Sequence, residues 1–329
     1  MNNLVDGTRI SKLRCVVQKS TDPLFFSLVD YRNNLFTSDD PDKIIEFYRG
    51  FDDRKQLIKW MRERPKGANT IHEVSGDKDI IVVITTADYN GKFAKECREV
   101  IFKGLHIIFV ESGEGDFYFN YSHNCNLGIR KAMEFDPKWV VISNDDMIKN
   151  DEVEVLISSL LKINNKEVDY VLTQSSRYHS IEAFIGKPRT YYWKISKILG
   201  GKYKELAQIR KKFCGTNYSG IIHRSLSTKL LFKEIKRFIN VGNFFIVSPY
   251  YLKKRHKELL DSTYINVMED VELSLELVLD GRMMTIDYLI KDLIGSSLGN
   301  GLTRRIRSTA GIAYFNYKVE NGIIRLNLT

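Results

Sequence analysis

The stretch Lys138–Asp146, K-W-V-V-I-S-N-D-D, constrains the fold of this chain more than any other. After a turn at Asp136-Pro137, residues Trp139, Val140, Val141 and Ile142 form an unbroken apolar run. Such a run is expected of a strand buried on both faces of a sheet. It ends in Asn144, Asp145 and Asp146, so two adjacent carboxylates stand where a buried strand emerges. Open α/β sheets bind ligands at the carboxyl ends of their strands, and paired carboxylates suit a hard divalent cation. The same residues would also serve as caps of a following helix, since Ser, Asn and Asp accept hydrogen bonds from helix N-terminal N–H groups.

The flanking sequence extends the pattern. Ile80–Thr85, I-I-V-V-I-T, reads as a buried strand followed by the loop T-A-D-Y-N-G. Lys92–Phe102 carries Phe93, Cys97, Val100 and Ile101 at helical spacing, and Leu105–Val110 is a second apolar run ending in E-S-G-E-G-D. A helix over 126–135, the strand at 139–143, a helix over 151–163 and a strand at 169–173 follow. Alternating strands and helices specify a parallel sheet with right-handed crossovers. A further helix over 271–280 is closed by Gly281. Before this region, residues 1–77 form an N-terminal extension. Short strands are expected within 15–30, and a helix start is expected at S-D-D-P (38–41), with an apolar stripe from Ile44 to Met61 broken near Gly50. The expected units are therefore 1–77, an α/β domain over 78–300, and a tail over 301–329 that packs on the domain or meets a membrane or partner. A final strand is expected near 323–328.

Composition narrows the class. The chain has 329 residues, 43% hydrophobic and 28% charged, a globular balance with no low-complexity tract. No apolar run approaches the roughly 18–20 residues that span a bilayer, and M-N-N-L-V-D-G-T-R lacks the pattern of a signal peptide. Cys15, Cys97, Cys125 and Cys214 are scattered without a C-x-x-C pair, which fits a reducing cytoplasm rather than a disulfide or zinc framework. The net charge of +9 is compatible with nucleic acid, anionic membrane or phosphorylated substrates. Two stretches, 189–212 and 233–257, interleave aromatic residues with Lys and Arg. They read either as a peripheral membrane surface across 189–257 or as solvated helices that pack their aromatics inward. Neither resembles a DNA- or RNA-binding module, and no nucleic-acid partner is expected.

Five motifs taken in order resemble those of the family 2 glycosyltransferases of the GT-A fold, over roughly residues 79–297. I-V-V-I-T-T-A-D-Y-N resembles the family's opening strand and Tyr-Asn turn, and F-V-E-S-G-E-G-D its second strand. H-N-C-N-L-G-I-R-K-A resembles the Asn-x-Gly helix start. V-V-I-S-N-D-D-M is similar to the metal-binding D-x-D motif in the N-x-D variant of rhamnosyltransferase-like members. M-E-D-V-E-L-S-L-E-L-V-L-D-G-R resembles the helix that supplies the catalytic base. The resemblance implies a GT-A type, Rossmann-like, mostly parallel sheet flanked by helices. The implied activity is an inverting, metal-dependent hexosyltransferase moving a sugar from a nucleotide-diphosphate donor to an acceptor hydroxyl on a glycan, glycolipid or protein.

The resemblance also distributes roles. Asp146, with Asp145 beside it, would hold Mg²⁺ or Mn²⁺ against the diphosphate leaving group. Asn144 would touch the ribose or act from behind the metal. Thr86, Ala87, Tyr89, Glu111 and Asn126 would line the nucleoside site, Glu111 standing where the family has a shorter Asp. Asp270 would take the acceptor's proton, with Glu269 as its neighbour; the same two acids would also favour a helix N-terminus electrostatically. Many relatives place a His after this helix. Here I-K-D-L-I-G-S-S offers Asp292 as a further metal ligand and Lys291 as a diphosphate contact, though both also read as plain surface residues. Thr216 and Asn217 fall where relatives contact the acceptor. A catalytically silent nucleotide-sugar-binding protein and a nucleotidyltransferase are the alternatives, the second disfavoured because T-T-A-D-Y-N-G lacks a basic, Gly-rich character.

Overall fold

The structure, a computed structural model, describes residues 23–174, 177–180, 200–215, 223–225, 238–239, 244–255, 257–293 and 301–324. The positions Thr216, Asn217 and His256, much of the basic aromatic stretches and most of the expected strand at 323–328 lie outside the described residues.

The chain is α/β. Three helices open it: α1 (Pro23–Thr37), α2 (Pro41–Arg49) and α3 (Arg54–Glu63). The Asp40 carboxylate caps α2 by accepting the Asp42 N–H at 2.9 Å, and Gly50 separates α2 from α3 as the break in the apolar stripe predicts. Residues 23–30, expected as strand, are helical. Then come β1 (Thr70–Val74), β2 (Asp77–Thr86), α4 (Lys92–Glu96) running into a π-turn at Cys97–Ile101, β3 (Leu105–Glu111), α5 (Tyr121–Met133), β4 (Trp139–Asn144), β5 (Met147–Lys149), α6 (Val153–Leu161) and β6 (Tyr170–Gln174). A small sheet of β7 (Arg177–Ser180), β8 (His223–Ser225) and β9 (Phe238–Ile239) brackets α7 (Gly201–Cys214) in sequence. The chain ends with β10 (Phe244–Val247), α8 (Pro249–Lys254), α9 (Glu269–Asp280), β11 (Met283–Asp292) and α10 (Gly301–Glu320).

Eight strands form one sheet in the order β1-β3-β2-β4-β10-β6-β11-β5. Its heart, β3-β2-β4, is parallel, as are β6 and β11. The other pairings are antiparallel: β1 with β3, β10 with both β4 and β6, and β5 with β11. The sheet is therefore mixed, where a mostly parallel one is expected from sequence. The difference lies in β10, whose F-F-I-V is too short to show a period and falls within the second basic aromatic stretch. All four of its residues are buried between β4 and β6.

Strand alternation fills both faces. Ile80, Val82 and Ile84 of β2 and Trp139 and Val141 of β4 pack with Cys97, Leu156 and Leu160. Ile81 and Val83, with Val140 and Ile142, meet α5 and the Leu273 and Leu277 face of α9. Gly128 lets α5 lie close on the sheet, since a Cβ there would sit 2.2 Å from a methyl of Val83.

A third core joins residues from both ends of the described chain. Phe36, Phe47, Tyr48, Phe51, Leu57 and Trp60 of the extension pack with Phe213 of α7, Met268 and Val271 at the start of α9, and Ile306, Ile312 and Phe315 of α10. Described parts of 1–77 and 301–329 share this one core, and β1 extends the sheet. The expected tail is a 20-residue helix. The Arg307 guanidinium, buried, donates to the carbonyls of Phe36, Thr37 and Ser38. On α7, Phe213 faces this core while Lys202, Lys204, Lys211 and Lys212 face water. Among the described residues no helix is long and apolar enough to cross a membrane.

The Tyr48 hydroxyl is within hydrogen-bond reach of the carbonyls of Ile306 and Arg307, at 2.9 and 3.1 Å. Tyr48→Phe leaves those buried acceptors short of a donor and is expected to cost about 1–3 kcal/mol, read as a lower urea midpoint of a single transition. An unchanged midpoint would show that this contact does not join α2 to α10.

Candidate active site

Two acidic clusters lie at the carboxyl-end side of β2, β3 and β4. The first begins where β4 ends. The Thr86 hydroxyl, at the end of β2, donates to Asp145 Oδ2 at 2.6 Å, and Cys97 Sγ from the π-turn lies 3.3 Å from the Asp145 carbonyl. The two strands are in register there, with Thr85 opposite Asn144, so the sheet itself delivers the threonine to the acid. Burial raises the Asp145 carboxyl above the usual range despite this hydrogen bond, and the charge of Asp88 adds to the rise.

Asp146 is closed in from the far side. β11 pairs with β5 so that Asp292 stands opposite Met147, and the Leu293 N–H donates to the Asp146 carbonyl at 2.9 Å. Burial, then the charges of Asp145 and Asp292, push Asp146 up to about 6. The Asn144 amide bonds to Asp146, while Asp146 Oδ1 and Asn144 Oδ1 are buried without a hydrogen-bond partner. The charge of Asp292 thus acts on Asp146 although the two lie more than 140 residues apart in sequence. Lys291 is exposed, and strand alternation sends it to the face opposite Asp292.

Around Tyr89 the structure adds residues absent from the sequence reading. Glu111 accepts the Tyr89 N–H at Oε1, 2.9 Å, and its Oε2 lies 2.8 Å from His72 Nε2. The His72 ring stacks on Tyr89 at 4.0 Å and 5°, and the Arg98 guanidinium lies 4.9 Å from the same ring. His72 sits on the edge strand β1, and only the antiparallel pairing of β1 with β3 places it beside Glu111. The T-I-H-E-V alternation marks a strand, but nothing in it names the partner. Ala87 is exposed at the loop tip. Asn126 departs from its expected role: it is 3% exposed, and its amide donates to the Leu260 carbonyl and Glu258 while accepting the Leu260 N–H. Its hydrogen bonds tie α5 to 258–260 rather than facing a nucleoside.

The second cluster is the first turn of α9. The entry is strained, with Asn266 at φ 57° and Met268 at φ 80°, conformations that cost non-glycine residues of order 1–3 kcal/mol. Asn266 Oδ1 accepts the Tyr121 N–H at 2.8 Å, fixing the α9 entrance to the start of α5. Val267 is pressed by α10: a Cβ on Gly311 would sit 2.5 Å from its carbonyl. Glu269 is 6% exposed with Oε2 lacking any partner. Burial, followed by the charge of Asp270, raises its carboxyl well above the usual range. Burial raises Asp270 too, against the pull of the Val271 N–H at 2.8 Å and of Arg304. A helix N-terminus gains from acids in its first turn, but exposed acids would provide that gain without the burial cost.

Among the described residues no group of three or more His, Cys, Asp or Glu is placed to hold a metal ion. The orphaned Asp146 Oδ1 beside two further acids nevertheless fits a cation of the Mg²⁺ or Mn²⁺ kind, which takes one or two carboxylates and completes its shell with water and substrate phosphates. No family model matches the chain, and no curated protein matches it.

Glu269 also gives a pH signature. Its folded-state carboxyl is raised above the unfolded value, so the unfolded chain ionises first and stability falls as pH climbs from the ordinary carboxylate range towards the folded value. Glu269→Gln removes that loss. Its Tm should exceed that of the native chain at pH 8 by about 2–4 °C for each kcal/mol relieved, with little difference at pH 4. An equal difference at both pH values would rule out a buried carboxylate penalty.

Proposed function

We propose that the chain is an inverting, divalent-metal-dependent glycosyltransferase of GT-A type that moves a sugar from a nucleotide-diphosphate donor to an acceptor hydroxyl. The observation that carries this reading is Asp146, whose Oδ1 is buried without a partner between the like charges of Asp145 and Asp292. Acids placed so that each disfavours ionisation of the next are stabilised as carboxylates by a nearby cation. The second cluster at a separate helix start supplies the base that such a transfer needs.

Asp146 with Asp145 would hold the Mg²⁺ or Mn²⁺, with Asp292 behind, and the ion would offset the charge growing on the diphosphate as the glycosidic bond breaks. Thr86 holds the Asp145 carboxylate in place. The Tyr89 loop and Glu111 form the flat, hydrogen-bonding wall proposed for the nucleoside. Asp270 takes the proton of the acceptor hydroxyl as that oxygen attacks the anomeric carbon opposite the leaving group, through an oxocarbenium-like transition state. The Val271 N–H fixes one oxygen of Asp270, and its raised affinity for a proton makes it the stronger base. Glu269 beside it has one oxygen, Oε2, without a partner, the atom proposed to meet the acceptor.

Asp146→Ala is expected to abolish metal-dependent binding of UDP- or GDP-linked sugars in titration calorimetry; unchanged affinity in Mn²⁺ would remove Asp146 from the metal site. Asp270→Asn should retain donor binding and lower transfer by about 10²–10⁴-fold, and near-native transfer would exclude Asp270 as the base. Donor binding with no turnover in the native chain would instead indicate a silent nucleotide-sugar-binding protein.

A further inference from the structure

A cleft of about 930 Å³ runs along α9, between the helix, residues 255–262 and the end of α10. Its walls carry five carboxylates, Glu258, Asp261, Glu269, Glu272 and Glu276, against the three cations Arg255, Lys257 and Lys318.

The pairings within it are specific. Lys318, 7% exposed as a side chain, lies 2.6 Å from Asp261 and 2.7 Å from Glu272. Arg255 and Lys257 both pair with Glu276, and Glu258 meets Arg130 from α5 at 2.6 Å. Every cation of the lining is therefore committed to a wall carboxylate. Glu269 is the wall acid left over: it is 6% exposed and its Oε2 has no donor. Each paired carboxylate still offers further acceptor lone pairs, while no lining cation is free for an incoming anion. Leu259, Leu260 and Leu273 give the same wall an apolar floor, which suits the C–H faces of a pyranose.

Resting on the transferase reading, we infer that this cleft is the acceptor site and takes a neutral, polyhydroxylated ligand, a sugar whose hydroxyl donates to Glu269, rather than a phosphorylated or otherwise anionic acceptor. Carboxyl groups accept hydrogen bonds from hydroxyls whether or not they are ionised, and a wall whose cations are each already paired with a carboxylate gives a phosphate no unpaired charge. The volume falls in the range of small-molecule sites and leaves room for more than one sugar ring. Asp270 adjoins Glu269 in sequence on the first turn of α9, so a hydroxyl held by Glu269 is presented next to the proposed base.

The test uses saturation-transfer NMR on the full chain with methyl hexopyranosides, a neutral disaccharide, and the corresponding hexose 6-phosphates as probes. The second variable is Ile323→Trp, since Ile323 lines the cleft mouth and is 58% exposed, so the larger side chain obstructs the cleft without disturbing a core. The expected result is saturation of the neutral glycosides in the native chain, at least tenfold weaker binding in Ile323→Trp and in Glu269→Gln, and little saturation of the phosphates. Calorimetry with Mn²⁺ and UDP- or GDP-linked sugars should be unchanged in Ile323→Trp. Equal glycoside binding in Ile323→Trp would overturn the placement, and phosphates binding as well as neutral sugars would overturn the ligand class. Donor binding without glycoside binding overturns the cleft proposal alone. Glycoside binding without any donor binding overturns the transferase reading and leaves the sugar site standing.

Discussion

The ammonium of Lys318 holds together the part of this molecule on which its chemistry depends. It is buried between Asp261 and Glu272, and it lies 5.3 and 4.9 Å from the rings of Tyr264 and Tyr314. Those tyrosines donate in turn to Glu272 and Asp261. A buried ion pair gives little net stability, but losing one partner is costly because the remaining charge has no water. The network thus works as a clamp. It fixes the end of α10 to Glu272 in the first turn of α9 and to the 261–264 segment, and so sets where that turn stands. Burying Glu269 and Asp270 side by side is unfavourable in itself, and the helix that carries them stays in place because its later turns are held elsewhere.

The helical core explains why the extension and the last helix accompany the sheet. Met268 and Val271 belong to the same cluster as Phe47, Tyr48 and Phe315, so the segments at the two ends of the chain cover the back of α9. The strained backbone at Asn266 and Met268 is sustained by that packing, by the Tyr121 N–H and by the approach of Gly311. The two acidic clusters are thereby supported differently. The Asp145–Asp146 cluster rests on the sheet, through the register of β2 with β4 and of β5 with β11. The α9 cluster rests on helices drawn from both ends of the chain. Destabilising the helical core is expected to act on the α9 cluster and the cleft before it acts on the Asp145–Asp146 loop.

Much of the sheet was legible because burial on two faces leaves an unmistakable mark. I-I-V-V-I-T, L-H-I-I-F-V and W-V-V-I-S are apolar without alternation, and the sheet places them together and parallel. The helix caps at Asp40 and the break at Gly50 were likewise written in local chemistry. β10 was hidden because four residues carry no period, and its aromatic and basic neighbours suggested a surface. α1 and α10 were hidden for a related reason. Their helical nature is weak in propensity and pattern, and it is decided by a core assembled from distant segments.

The sequence by itself determined that a buried strand ends in Asn144, Asp145 and Asp146, and that a second acidic pair opens the Glu269–Asp280 helix. Those facts depend only on which residue types follow one another. The tertiary structure alone decided which acids meet. Asp292 joins Asp146 because β11 pairs with β5, His72 joins Glu111 because β1 adds to the sheet edge, and Lys318 joins Asp261 and Glu272 because α10 packs on α9. Each of these is a contact between residues 39 or more positions apart. Local sequence cannot encode such contacts, since the electrostatic and hydrogen-bonding state of an acid is set by its neighbours in space and not in the chain.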